Sequence, residues 1–418
     1  MSIVEEVRSK SKSAKEASYI LATLTSQIKN SALKNMAAGL RDAKESIKSK
    51  NAIDIENGKA AGLSSAMLDR LLLNDARIEG MAAGIEKIAA LTDPVGEVIK
   101  GWIPESGINI KKVRVPIGVI GMIYESRPNV TADAAALALK SGNSIVLRGG
   151  KEAINSNIVI AEILKKAAVE AGIPEGAITL IELTDREGVK VLTQLTEFVD
   201  VIIPRGGSGL IKAVTESAKV PVIFHDKGVC HTFIDEFADI EMGKKICMNA
   251  KVQRPGVCNA METLLVHENI AEKFLPEMAE EFSKAKVELR GCEKTLKVLK
   301  NIKAATEEDW DTEYVDLILS IKVVKSVEEA ISHINRYGSK HSDAIITNSY
   351  ENSKRFTNAV DSATVYVNAS TRFTDGGCFG FGAEIGISTN KIHARGPFAL
   401  EELTTYKYII EGEGQIRE

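Results

Sequence analysis

The chain has 418 residues, 44% of them hydrophobic and 26% charged, and its 53 Lys+Arg against 57 Asp+Glu leave a net charge of −4. This is the balance of an ordinary globular protein with ample length to bury a core, and at roughly 150 residues per domain it implies two or three domains. Charges that nearly cancel exclude a general attraction to nucleic acid, so any cationic site must be local.

Residues 2 to about 92 read as helices. Ala, Lys, Glu and Leu dominate, and apolar residues recur at helical spacing at Ala17, Ile20, Leu21, Leu24 and Ile28. Ser64 or Ser65 and Asn74 suit helix N-caps. Such a segment is expected to form a helical layer over a sheet. From Gly96 to Val115 the pattern becomes two strands around a Pro/Gly turn. A hairpin this thinly covered is unstable alone, so it is expected to pair with another element or another subunit.

Strand and helix signals then alternate. Strands are predicted at Ile117–Tyr124, Ser144–Arg148, Ile178–Leu183, Val199–Pro204 and Val220–Phe224, with helices between them at Val130–Lys140, Glu152–Ala171, Glu187–Leu195 and Gly209–Ala218. Nearly continuous apolar strands are expected where helices bury both faces of a sheet, the pattern of a doubly wound α/β nucleotide-binding domain. A second α/β pattern begins near Cys230, with strands predicted at Thr263–His267, Leu317–Val324, Asp343–Thr347 and Thr364–Asn368. A glycine-rich loop at 375–382 and a β-rich tail at 404–410 close the chain.

The usual Gly-x-Gly-x-x-Gly fingerprint and a Walker A motif are both missing, so a nucleotide would have to bind in another way. Two strand-to-helix turns offer one. In Val146-Leu-Arg-Gly-Gly-Lys-Glu152, Arg148 and Lys151 stand where ligands dock in such sheets, and cations there favour the 2′-phosphate of NADP over the free ribose of NAD. In Ile203-Pro-Arg-Gly-Gly-Ser-Gly209, Gly206, Gly207 and Ser208 let backbone N–H groups approach a phosphate. Solvated charges and a tight turn are the plainer readings of the same residues. Arg127, Arg254 and Arg372 could meet an anionic substrate through the guanidinium fork, although any one of them could equally be a surface charge.

Five cysteines are present, with no Cys-x-x-Cys and no His-Glu-x-x-His. That argues for reduced thiols in a cytoplasmic compartment and against a metal. The first ten residues lack a signal-peptide core, and no run approaches ~18 apolar residues, so no membrane span is expected. Scattered histidines such as His225 and His231 read as structural. Cys258 is different. It lies in Asn249-Ala-Lys-Val-Gln-Arg-Pro-Gly-Val-Cys-Asn-Ala-Met-Glu262, between Gln253 and Asn259 and close to Lys251 and Arg254. Cations beside a thiol favour the nucleophilic thiolate, which attacks electrophilic carbonyls. A buried structural cysteine is the other reading of this run alone.

The whole chain resembles the γ-glutamyl phosphate reductases, the glutamate-5-semialdehyde dehydrogenase branch of the aldehyde dehydrogenase superfamily. The resemblance is carried by Gly118-Val-Ile-Gly-Met-Ile-Tyr-Glu-Ser-Arg-Pro-Asn129, 144–152, 199–209, 253–262, Trp310-Asp-Thr-Glu-Tyr314 and 374–395. It implies an aldehyde dehydrogenase-like α/β fold: a Rossmann-type cofactor domain (1–94 and 116–229), an α/β catalytic domain (230–400), and a small β oligomerisation element (95–115 and 401–418). Within it Cys258 falls on the nucleophile, Glu313 on the carboxylate that holds the nicotinamide ribose, and Arg148 on a lysine that contacts the adenosine ribose. Lys151 falls where NAD-preferring relatives often carry Glu, which fits NADPH.

Two departures matter. The Glu-Leu-Gly-Gly segment that activates water in hydrolytic relatives is His225-Asp-Lys-Gly-Val229 here. The turn that supplies an oxyanion-hole Asn is Glu125-Ser-Arg-Pro128, leaving the Cys258 N–H with Asn259 or Ser126 as candidate donors. The implied activity is NADPH-dependent reduction of L-glutamyl 5-phosphate through a Cys258 thioacyl enzyme, the second step of proline biosynthesis. The implied partners are the substrate, delivered by channelling from glutamate 5-kinase, and further copies of the chain. A CoA-acylating or hydrolytic aldehyde dehydrogenase is the alternative, and the missing Glu counts against the hydrolytic one.

Overall fold

The computed structural model describes residues 2–417. Its chain divides into two compact units, the first made of residues 1–224, 380–386 and 398–418 and the second of 225–379 and 387–397.

The first unit opens with helices α1 (Ile3–Leu21), α2 (Ser26–Asp42), α3 (Lys44–Ala60), α4 (Ser65–Leu71) and α5 (Asp75–Ala90). Capping sets their starts: Ser2 and Glu5 form a reciprocal capping box, and the side chains of Thr25, Ser64 and Asn74 accept the first-turn amides of α2, α4 and α5. The apolar residues from Ala17 to Ile28 fall on two helices, because the chain breaks between Leu21 and Ser26, where Thr25 starts α2, and Ile20 is left exposed.

A hairpin follows, β1 (Val98–Trp102) and β2 (Asn109–Pro116). Next come β3 (Val119–Tyr124), α6 (Asn129–Lys140), β4 (Ser144–Gly149), α7 (Ile154–Glu170), β5 (Ile178–Leu180), α8 (Glu187–Gln194), β6 (Val201–Arg205) and α9 (Ser208–Ser217). The four strands form an all-parallel sheet in the order β5-β4-β3-β6. Val7 and Ala14 of α1, Leu192 of α8 and Val214 of α9 pack with Val119, Ile123, Val146 and Ile202 on one face. Helices α6 and α7 pack on the sheet as well, with α2, α3 and α5 stacked against them. Helices on both faces explain why every residue of β3 and β4 is buried.

Two strand predictions needed correction. Ile178–Leu183 ends at Leu180, because the amides of Glu182 and Leu183 donate to the Glu6 carboxylate of α1 instead of to a neighbouring strand. Val220–Phe224 is no strand and keeps one isolated bridge, Ile202 to Val222; Pro221 has no amide to donate to a ladder.

The second unit holds β7 (Cys230–Ile234), α10 (Ile240–Val252), β8 (Met261–His267), α11 (Glu268–Lys284), β9 (Glu288–Gly291), α12 (Glu293–Val298), β10 (Lys303–Ala304), β11 (Ile318–Val324), α13 (Val327–Tyr337), β12 (Ser342–Ile346), α14 (Tyr350–Ala359) and β13 (Thr364–Val367). Its seven strands are parallel in the order β10-β9-β11-β8-β7-β12-β13. One core layer gathers Leu264, Phe274, Phe282 and Ile321, and another gathers Phe233, Leu265, Ile345 and Phe356. Short strands β14 (Gly386–Ser388) and β15 (Gly396–Phe398) pair with each other, and β16 (Thr404–Glu411) adds to β2 to complete a three-stranded antiparallel sheet, β1-β2-β16.

Candidate active site

In the first unit, the carboxyl ends of β3, β4 and β6 gather three turns, the place where open α/β sheets receive ligands. Two carboxylates tie them together. Glu152, after β4, accepts from the Ser126 N–H at 2.5 Å and from its hydroxyl at 2.9 Å. Glu125, after β3, accepts from the Gly207 N–H at 3.1 Å, at the start of α9. A Cβ on Gly206 would lie 2.5 Å from a Glu125 carboxylate oxygen and 2.6 Å from Leu210, so a side chain there would push the Glu125 carboxylate from its place.

Beside these turns is a cavity of about 330 Å³, with Ala61, Leu63 and Met67 on its apolar side and Ser126, Lys151 and Glu152 on its polar side. Size and mixed lining suit a purine ring with its ribose. Lys151 therefore stands in a cavity wall. Arg148 does not line that cavity. It is nearly buried and donates to the carbonyl oxygens of Gly149 (3.0 Å), Thr184 (2.8 Å) and Asp185 (3.0 Å), which fixes the loop after β5.

In the second unit, Cys258 sits in the turn between α10 and β8, partly exposed. The turn is held from several sides. Buried Cys230, at the start of β7, donates its thiol to the Cys258 carbonyl at 3.2 Å, and burial pushes that second thiol well above its usual range. The Asn259 amide donates to the Thr374 carbonyl at 2.9 Å and its carbonyl accepts from Arg372, while the Arg372 Nε donates to Gln253 at 2.9 Å. Both expected oxyanion donors, Asn259 and Ser126, thus already hold partners within their own units.

Burial lowers the Arg372 pKa, and the neighbouring positive charge of Arg254 lowers it further. Cys258 also acts on Arg372, which places two guanidinium groups and the thiol in one electrostatic neighbourhood. Lys251, read from the sequence as a cation near the thiol, is fully buried and paired with Glu262 at 2.6 Å. Its charge is neutralised at short range, and Arg254 and Arg372 supply the local positive field instead. Glu313 accepts from the Gly228 N–H, and burial raises its pKa.

Residues 2–298 match the model of the aldehyde dehydrogenase family. The chain belongs to that family. It is 56% identical over 418 residues, the whole of both chains, to the gamma-glutamyl phosphate reductase of Clostridium kluyveri. It is 58% identical over 412 residues, 99% of this chain and 100% of the relative, to that of Caldanaerobacter subterraneus subsp. tengcongensis. The crystal structure of gamma-glutamyl phosphate reductase from Thermotoga maritima superposes with a TM-score of 0.98 at 52% identity, covering 99% of this chain and 100% of the other. As an aldehyde dehydrogenase the protein is an oxidoreductase acting on the aldehyde group, and the family chemistry calls for a nicotinamide cofactor.

Several residues of this aldehyde dehydrogenase's site escaped the sequence reading. Glu125 and Glu152 were visible as acids in strand-end turns, but nothing local says that they brace neighbouring turns. Gly228 lay in a segment noted only for its missing Glu. Glu262 was legible as the one acid in the cysteine run, and so as the partner of Lys251.

Proposed function

We propose that the chain reduces L-glutamyl 5-phosphate to L-glutamate 5-semialdehyde and phosphate, the second step of proline biosynthesis, with NADPH as reductant and Cys258 as acyl carrier. The observation that carries this reading is the partly exposed Cys258 thiol, fixed in a braced turn beside Arg254 and Arg372. Full-length identity to relatives of that name supports it.

The Cys258 thiolate attacks the acyl carbon, the bond from that carbon to the phosphate oxygen breaks, and phosphate leaves from a thioester. Arg254 and Arg372 stabilise the departing phosphate, and the Cys258 backbone N–H helps to hold the oxyanion, with Asn259 and Ser126 as further donors once substrate rearranges their bonds. The nicotinamide, when bound, supplies the hydride that reduces the thioester carbonyl. Collapse of the thiohemiacetal returns the thiolate and frees the aldehyde. Water is no reactant here, which agrees with His225-Asp-Lys-Gly-Val229 in place of a Glu-bearing segment.

Lys151, with the turn at Gly206, Gly207 and Ser208, holds the adenosine and phosphate parts of the cofactor, and Glu313 the nicotinamide ribose; Arg148, expected to touch the adenosine ribose, instead braces the loop after β5. Arg127 contributes to the anionic substrate. Further copies of the chain associate through the β1-β2-β16 sheet, and substrate passes from glutamate 5-kinase.

The test is semialdehyde oxidation. NADP reduction should require inorganic phosphate and vanish in Cys258→Ala while NADPH binding, read by fluorescence titration, persists. Equal rates with and without phosphate point to hydrolysis, CoA in place of phosphate to an acylating enzyme, and an active Cys258→Ala removes the thiol from the mechanism.

A further inference from the structure

Both side chains expected to hold the oxyanion are engaged, Asn259 with Thr374 and Arg372, and Ser126 with Glu152. The main chain of the nucleophile's own turn offers donors that are not. Among the described residues, no group accepts from the backbone N–H of Cys258 or from that of Asn259, while the next amide, Ala260, donates to the Val257 carbonyl at 3.0 Å. Asn259 is only 5% exposed. Main-chain donors in buried residues are almost always paired, so a free one beside a nucleophile is poised for a ligand.

The other edge of the same peptide is filled. The Cys230 thiol, at the start of β7, donates to the Cys258 carbonyl at 3.2 Å, and Gly228 packs against that oxygen too closely to carry a Cβ. In a trans peptide the carbonyl and the following N–H point to opposite sides, so a carbonyl fixed toward Cys230 turns the Asn259 N–H away from it. The sulfur is itself held. The Ser342 N–H, at the start of β12, donates to it, and burial keeps the thiol protonated and therefore a donor. On the far side of Asn259, the Thr371 hydroxyl donates to its carbonyl at 2.7 Å. The amide is thus pinned from before and after.

We propose that Asn259 stabilises the oxyanion through its main-chain N–H, beside that of Cys258, and that Cys230 is the positioning residue that aims it. An acyl group on the Cys258 sulfur carries its oxygen within reach of the amide that follows the nucleophile, the donor that some hydrolases use on an unrelated fold. Two fixed amides need no rearrangement as charge develops, unlike the occupied side chains. The proposal rests on the reading of Cys258 as acyl carrier.

Acetylation by 4-nitrophenyl acetate tests it without the native substrate: the Cys258 thiolate bonds to the acetyl carbon, and 4-nitrophenolate leaves. Asn259→Ala and its ester counterpart, made in the full chain by nonsense suppression with lactate in place of that alanine, differ at residue 259 by one N–H. The ester form should release 4-nitrophenolate roughly 100- to 1000-fold more slowly than Asn259→Ala. Its thioester carbonyl, followed by infrared spectroscopy of carbon-13-labelled acetyl-enzyme, should absorb closer to that of the unfolded acetylated chain. The ester also weakens the carbonyl that Cys230 holds, so Cys230→Ala is the control. It should slow acetylation less than the ester does, and Cys230→Ser, which keeps a donor, should recover most of the loss. An ester form as fast as Asn259→Ala, or slowed no more than Cys230→Ala is, overturns the assignment. The wild-type enzyme needs no variant to fold: a thioester band no lower in the folded than in the unfolded chain means that no amide meets the oxygen. Peptide mapping separates the two readings. No acetyl on Cys258 refutes the acyl carrier itself, whereas acetyl on Cys258 with an unshifted band sinks the amide alone.

Discussion

Cys258 can stand where it does because residue 228 has no side chain. A Cβ on Gly228 would come 2.0 Å from the Cys258 carbonyl oxygen and 2.4 Å from its Cα. These are backbone atoms, so no rotamer change relieves the clash, and the nucleophile's turn must move. Catalytic geometry tolerates little displacement, and a shift of about 1 Å can cost on the order of 100-fold in rate. Gly228→Ala is therefore expected to lower kcat by about that factor or more, with circular dichroism unchanged and iodoacetamide alkylation of Cys258 altered. Wild-type kcat and alkylation rate in this variant would show that the turn does not depend on the contact. Lys151 is the residue-scale lever for the cofactor. In the cavity wall it faces a setting that already holds Glu152. Replacing it by Glu removes the cation that would meet a 2′-phosphate and offers an acceptor to a free ribose. The kcat/KM ratio for NADPH over NADH should fall at least about tenfold, since one charge-assisted bond is worth that much; an unchanged ratio places Lys151 outside the cofactor's reach.

At the scale of elements, the cysteine turn is closed at its base by an ion pair. Lys251 ends α10, Glu262 begins β8, and the two meet at 2.6 Å with no solvent exposure. Burial drives both toward neutrality, raising Glu262 to about 7 and lowering Lys251. Removing one partner strands the other, which costs roughly 3–5 kcal/mol, while replacing both by apolar groups is often neutral or better. Lys251→Met and Glu262→Leu should each depress the thermal midpoint strongly, and the double variant should recover most of it. If the pair also fixes the turn, the double variant regains stability and keeps a lowered kcat. Single variants as stable as wild type would show that the burial is not costly.

This pair also shows which parts of the site were readable beforehand. Strands buried on both faces announced themselves as apolar runs, so β3, β4 and β6 were legible within a residue or two, whereas Val220–Phe224 read as a strand from the same signal and is not one. Local chemistry was legible too, as at the Asn74 cap and the thiol among cations. What the sequence hid were contacts made by distant residues. Glu6 ends β5 from 176 positions away. Gly228 matters only because the fold brings Cys258 against it. Lys251 looked like a free cation because pairing depends on which way α10 delivers its last turn.

At the scale of the whole molecule, the sheet β1-β2-β16 carries a group of exposed apolar side chains. Val98, Ile99, Trp102, Tyr406, Tyr408 and Ile410 are all exposed, Ile410 at 58%. Inside the sheet the aromatic groups are ordered, with Trp102 edge-on to Tyr408 at 6.1 Å between ring centres and Lys112 over Tyr406 at 3.5 Å. Exposed aromatic and branched side chains gathered on one small sheet are a common mark of a protein interface, and β1 and β16 leave strand edges open to pair with another copy. Introducing Asp at both 408 and 410 buries charge in such an interface while leaving β16 paired with β2. Central aromatic positions of interfaces commonly contribute 2 kcal/mol or more, about thirtyfold in dissociation constant for each. Light scattering at micromolar concentration should then show Tyr408→Asp/Ile410→Asp as a smaller species than wild type, with far-ultraviolet circular dichroism unchanged. A variant of wild-type mass would place the interface elsewhere and leave the sheet a solvent-facing flap. If the variant dissociates yet retains full kcat, each chain completes its own site, and the sheet serves assembly alone.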